Sequence, residues 1–120
     1  MDDLYSVRQY DKHTLVVFRT PSMMNPSDNE RMRSGLLQLV EGEKRARLVL
    51  DFGRVQFISS TVIGILLTLN KRLAAPGGAS GGAPGLVLCG VNEKLLDLLK
   101  ISKLDRLLTI KPTRKEALAT

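Results

Sequence analysis

The sequence predicts an α/β fold: a mostly parallel central sheet with one antiparallel edge hairpin, and helices packed on it. Three observations predict this. Strand-like and helix-like segments alternate along the 120 residues. RLVLDF and GLVLCGV hold uninterrupted apolar runs, the pattern of central strands covered on both faces. The opening YSVRQYDKHTLVVFR reads differently, as two strands joined by a short polar turn.

In order, Leu4 to Gln9 and Thr14 to Arg19 are rich in strand formers, with Asp11-Lys12-His13 as the turn. Pro21 and Pro26 end that strand. Ser27, with Glu30 three residues on, has the spacing of a capping box and predicts a helix to about Val40, closed at GEKRA by Gly42. Met32, Leu36, Leu39 and Val40 share its buried face. After RLVLDF, Val55 to Ile58 leads into a helix from Ser60 to about Leu73. At about 100° per residue, Val62, Ile65, Leu66, Leu69 and Leu73 form its core stripe. Thr61, Gly64, Thr68 and Lys71 lie opposite, beside Ser60, while Ile63 and Leu67 flank the polar side as an exposed apolar strip. Ala74 to Gly85 is a flexible glycine-rich connection without the Lys-Ser/Thr pair of a phosphate loop. Asn92 caps a helix with Leu95, Leu98 and Leu99 on its apolar face. A short strand at Leu107 to Ile110 and a terminal helix over Pro112 to Ala119 complete the order β-β-α-β-α-β-α-β-α.

Composition narrows the function. Aromatic residues are 4% with no Trp, too few for a platform that stacks single-stranded nucleic acid. The net charge is +6, and residues 100–120 hold six Lys/Arg against two Asp/Glu, so +4 lies in that stretch. Such a stretch meets nucleic acid, an anionic membrane or an acidic protein, or is simply a solvated surface. Nucleic-acid binding is not expected from it. The single Cys89, in a strand-like run, predicts a buried, inert thiol and no disulfide. With no signal peptide and no apolar run of membrane-spanning length, a cytoplasmic protein without a membrane span is expected.

Enzyme chemistry lacks its parts. One His in a polar surface turn supplies neither a catalytic triad nor a metal site, so no metal or cofactor is expected. Asp51-Phe52-Gly53 lacks the glycine loop and catalytic loop of a kinase and reads as a strand-end turn, from which Asp51 is placed to orient nearby hydroxyls. Those hydroxyls are Ser59, Ser60 and Thr61, at the start of the middle helix. Capping accounts for one of them, Ser59. Three in a row exceed what capping needs. A phosphate written there would add about −1.5 to −2 charges at a helix N-terminus, which favours anions, so it would act on whatever docks there.

RLVLDFGRVQFISSTVIGILLTL resembles the signature segment of STAS domains, the anti-sigma factor antagonists. Leu50, Asp51, Phe52, Phe57, Ile58, Ser60, Thr61 and Gly64 fit it by position, and VNEKLLDLLKISKLDRLLTI is similar to the family's late helix and last strand. The resemblance covers the whole chain and implies a single STAS-like domain. It implies a partner switch: the unmodified domain binds an anti-sigma factor that is often itself a serine kinase, and serine phosphorylation breaks the complex. By position the acceptor is Ser60. Ser59 stands where the family carries Asp and Val62 where it carries Gly, which leaves Ser59 as a second candidate acceptor. The family docking surface maps onto Thr61, Ile63, Gly64 and Leu67, with Thr20, Pro21 and Asn25. The alternative is a non-phosphorylated STAS accessory subunit of a lipid-type ABC transporter. A homodimer is left open.

Overall fold

The computed structural model describes residues 4–10, 13–42, 47–73, 85–106 and 108–119. The turn at Asp11 and Lys12, the GEKRA segment from residue 43 on, and Ala74 to residue 84 of the glycine-rich connection lie outside the described residues. Strands β1 (Tyr5–Gln9) and β2 (Thr14–Phe18) form the expected antiparallel hairpin, Tyr5 opposite Phe18. Strands β4 (Leu48–Asp51), β6 (Leu86–Cys89) and β7 (Thr109–Lys111) join β2 in parallel, giving the order β1-β2-β4-β6-β7. The apolar runs at β4 and β6 are buried throughout, because both strands are central and both of their faces are covered.

Alternation along the strands sorts their side chains into two layers. Val16, Phe18, Leu48, Leu50, Leu86 and Leu88 meet the helices α1 (Pro26–Leu37), α2 (Ser60–Leu73) and α3 (Glu93–Ile101) in the main core. Leu15, Val49, Val87 and Cys89 face the other way and are covered by Ala117 of the short helix α4 (Arg114–Leu118). Within the main core, the Phe18 and Phe52 rings pack with centroids 5.0 Å apart. Tyr5 edges onto Phe18 and presses its phenol against Gly35 of α1, leaving no room for a Cβ there.

The bounds and core stripe of α2 are as read from the sequence. It spans Ser60–Leu73, and its buried residues are Val62, Ile65, Leu66, Leu69 and Leu73. Elsewhere the structure corrects the expectation. The cap of α1 is Asn25, not Ser27: Asn25 Oδ1 accepts from the Asp28 N–H at 3.0 Å, and Pro26 occupies the first turn. The helix passes at Leu37 into a wider π-helical turn, Gln38–Gly42. His13 is 9% exposed rather than out in a surface turn. The ladder continues past Gln9 and Thr14 through a Tyr10 N–H bond to the His13 carbonyl, 2.8 Å, so His13 belongs to the end of the hairpin rather than to a free turn. A two-stranded parallel sheet was not expected at all: β3 (Ser22–Met23) pairs with β5 (Phe57–Ile58). The prolines on either side of β3 concealed it.

Candidate functional site

The small sheet builds the site. Gln56 and Phe57 N–H groups donate to the Pro21 carbonyl at 2.7 and 3.2 Å, and Ser22 and Met23 pair with Phe57 and Ile58. The loop after β2, with Thr20, Pro21 and Asn25, is thereby stitched to the segment that enters α2. Sequence reasoning placed both pieces on one surface from the family pattern, and the structure brings them together.

At the helix start the three hydroxyls have different surroundings. Ser59 is half-buried and caps α2: its Oγ accepts from the Val62 N–H at 3.4 Å and from Asn29 Nδ2 at 3.2 Å, and its carbonyl accepts from the Ile63 N–H at 3.3 Å. Ser60 and Thr61 are exposed. Among the described residues, no side chain engages the Ser60 hydroxyl. The first turn of α2 carries no acidic residue, while Lys71 and Arg72 occupy its last turn. Its positive N-terminal end is therefore open to an external anion.

Asn29 is the residue the sequence reading missed. It is 3% exposed, and its Nδ2 reaches both the Met23 carbonyl and Ser59 Oγ, each at 3.2 Å. One buried amide thus holds α1, β3 and the start of α2 together. Its signal was present: Asn29 lies three residues before Met32 and seven before Leu36, on the buried stripe of α1.

Asp51 does not orient the hydroxyls. Its Oδ1 accepts from the Gly53 N–H at 2.8 Å, and its Oδ2 takes Arg114 Nε and Nη2 at 2.9 and 2.7 Å. The carboxylate closes the bend before β5 and pins α4, so its service to the site is to fix the chain leading into it. Gly90 (φ +68) sits against this bend, and a Cβ there would lie 3.0 Å from both Asp51 Oδ1 and the Gly53 nitrogen. Asn92 completes the support: it caps α3 through the Leu95 N–H at 2.8 Å and donates to the Val55 carbonyl at 3.2 Å.

The expected exposed strip of Ile63 and Leu67 is also corrected. Both are half-buried, packed on the rim of the main core. Gly64 is exposed, with open space where a Cβ would stand. Beside it, Arg33, Leu37, Thr61, Ile65 and Thr68 line a groove of about 250 Å³ between α1 and α2. The large exposed apolar side chains at the site are Met24 (55% exposed) and Phe57 (50%). Val62, where the sequence reading places the family's glycine, is fully buried, so its branched side chain fills core.

The fold and this helix start define a mixed α/β module with an exposed, unengaged hydroxyl beside a stitched loop. Residues 5–117 match the family model of the STAS domain, and the chain belongs to that family. Similar solved structures include an anti-sigma-factor antagonist (STAS) domain protein of Planctomyces limnophilus, 21% identical with a TM-score of 0.79, the match covering 96% of this chain and 94% of that one. An anti-sigma factor antagonist of Mycobacterium paratuberculosis is 18% identical with a TM-score of 0.78, covering 96% and 90%. The Bacillus cell fate determinant SpoIIAA in its phosphorylated form is 14% identical with a TM-score of 0.68, covering 96% of each chain. At these identities the likeness is one of fold. Among the described residues, no group of three His, Cys, Asp or Glu is placed to hold a metal ion, and no helix is long and apolar enough to cross a membrane.

Proposed function

We propose that this chain is an anti-sigma factor antagonist that binds an anti-sigma factor acting as a serine kinase, and that phosphorylation of Ser60 releases it. One observation carries the reading: the labour of the helix start is divided. Ser59 caps α2 and is tied down by Asn29, while Ser60 is exposed and unengaged. Ser60 is therefore the acceptor of the pair, and Ser59 is structural. A phosphoryl group on Ser60 meets the positive end of α2 without disturbing the cap, so the domain stays folded and the change falls on the docking partner. Thr20, Pro21, Asn25, Thr61 and Gly64 supply the surrounding contact surface, with Ile63 and Leu67 contributing their exposed halves. The transfer moves the terminal phosphoryl of ATP to Ser60 Oγ, with loss of the hydroxyl proton and release of ADP, on the kinase's own catalytic groups.

The test uses the purified anti-sigma serine kinase encoded in the same genome. Incubation with ATP and mapping by mass spectrometry should place phosphate on Ser60, and Ser60→Asp should weaken kinase binding by tenfold or more while Ser60→Ala retains it. Absence of phosphate together with equal binding by all three proteins would overturn the switch. Capture of a transporter ATPase instead of the kinase would assign the accessory-subunit role.

A further inference from the structure

Met24, just past β3, and Phe57, three residues before Ser60, are exposed and not explained by the fold. They stand on the outward side of the small sheet: Ser22 pairs with Phe57, and Met24 is two residues from Ser22, while Met23 and Ile58 turn inward. Each leaves half or more of its surface in solvent, at 55% and 50%. The Lys94 ammonium lies over the Phe57 ring, 5.7 Å from its centroid. The two segments that make the site, residues 19–25 and 53–61, contain two cations, Arg19 and Arg54, and no Asp or Glu. Both arginines are exposed.

We infer that Met24, Phe57 and Lys94 form the energetic centre of the docking surface, and that its occupant is a segment of the partner protein pairing an apolar side chain with carboxylates. The inference rests on the proposed partner switch and deepens it. Charge complementarity selects the occupant: an apolar platform with the Lys94 ammonium on its ring, set in two segments whose charged residues are Arg19 and Arg54, matches an apolar anchor flanked by acids. One face of the Phe57 ring is already taken by Lys94, which disfavours a stacked nucleobase. The same arrangement explains how a phosphate would release the partner. A phosphoserine at position 60, three residues from Phe57, supplies about two negative charges to this carboxylate-seeking surface. It replaces the partner's acids as counter-charge and repels them.

Isothermal titration of the purified anti-sigma serine kinase into wild type, Phe57→Ala, Met24→Ala, Lys94→Gln, Lys94→Arg and Ile101→Ala tests this. Ile101 is 80% exposed and stands two turns, about 10 Å, further along α3 than Lys94, so it controls for loss of exposed apolar surface beyond the platform. Phe57→Ala should weaken binding about tenfold or more, as expected of an anchor at an interface centre. Lys94→Gln should weaken it several-fold and flatten its salt dependence, Lys94→Arg should restore both, and Ile101→Ala should bind as wild type. Thermal melting of each variant confirms its fold. Wild-type affinity in Phe57→Ala and Met24→Ala would overturn the platform while leaving the partner switch intact. If wild type binds no kinase but sediments with vesicles containing 30% phosphatidylglycerol, both the platform's assigned occupant and the switch fall.

Discussion

At the scale of single residues, the two adjacent serines have separate fates. Ser59→Ala removes a cap and the acceptor of a buried amide, and should cost about 1 kcal/mol in urea unfolding while Ser60 is still phosphorylated. Asn29→Ala removes the amide that donates to both the Met23 carbonyl and Ser59 Oγ, and should cost about 1–3 kcal/mol by the same measurement. Cys89 gives a pH signature. Burial first, and then the Asp51 charge, push its thiol from 9.0 up to about 11, against the opposing pull of Arg114. Since the folded state holds its proton longer, the stabilising contribution is complete below pH 9.0 and is lost as pH rises toward about 11, where the unfolded thiol has already ionised. The stability advantage of wild type over Cys89→Val should shrink across that window in urea titrations. Native alkylation by iodoacetamide at pH 8 should be at least about a hundredfold slower than in the unfolded chain, because Cys89 is both fully buried and held protonated.

Among the elements, α2 was legible end to end because a long amphipathic period leaves few alternatives, and its apolar stripe was read without error. The pairing of β3 with β5 was not legible. Two-residue strands carry no period, and the partners lie 35 residues apart in sequence, at Ser22 and Phe57. Asn25 beat Ser27 to the cap of α1 because Pro26 favours the first helical position, a competition the capping-box spacing does not weigh. The site followed the same division. The hydroxyls and their helix could be read from local sequence, whereas the partners of Asn29, the Asp51–Arg114 pair and the half-burial of Ile63 and Leu67 depend on which elements meet. The exterior of α2 gives a sharp test. Gly64 has open space for a Cβ, so Gly64→Ala should raise helix stability by about 1 kcal/mol while weakening kinase binding, if the partner's backbone approaches there. Unchanged affinity in that variant would remove Gly64 from the docking surface.

For the molecule as a whole, the alternation of strands and helices fixed the architecture, and what it left open was the inequality of the two layers. Among the described residues, three helices cover one face of the sheet and the five residues of α4 cover the other. Asp51→Asn should loosen that lid, costing about 1.5–3 kcal/mol for a hydrogen bond to a charged group and raising dye binding to the apolar patch of Leu15, Val49 and Val87 before global unfolding. The clamp joins residues 63 apart. During synthesis, β4 emerges long before the guanidinium that will hold its cover, so a nascent chain stalled between them presents a greasy, half-finished slab to any chaperone waiting there.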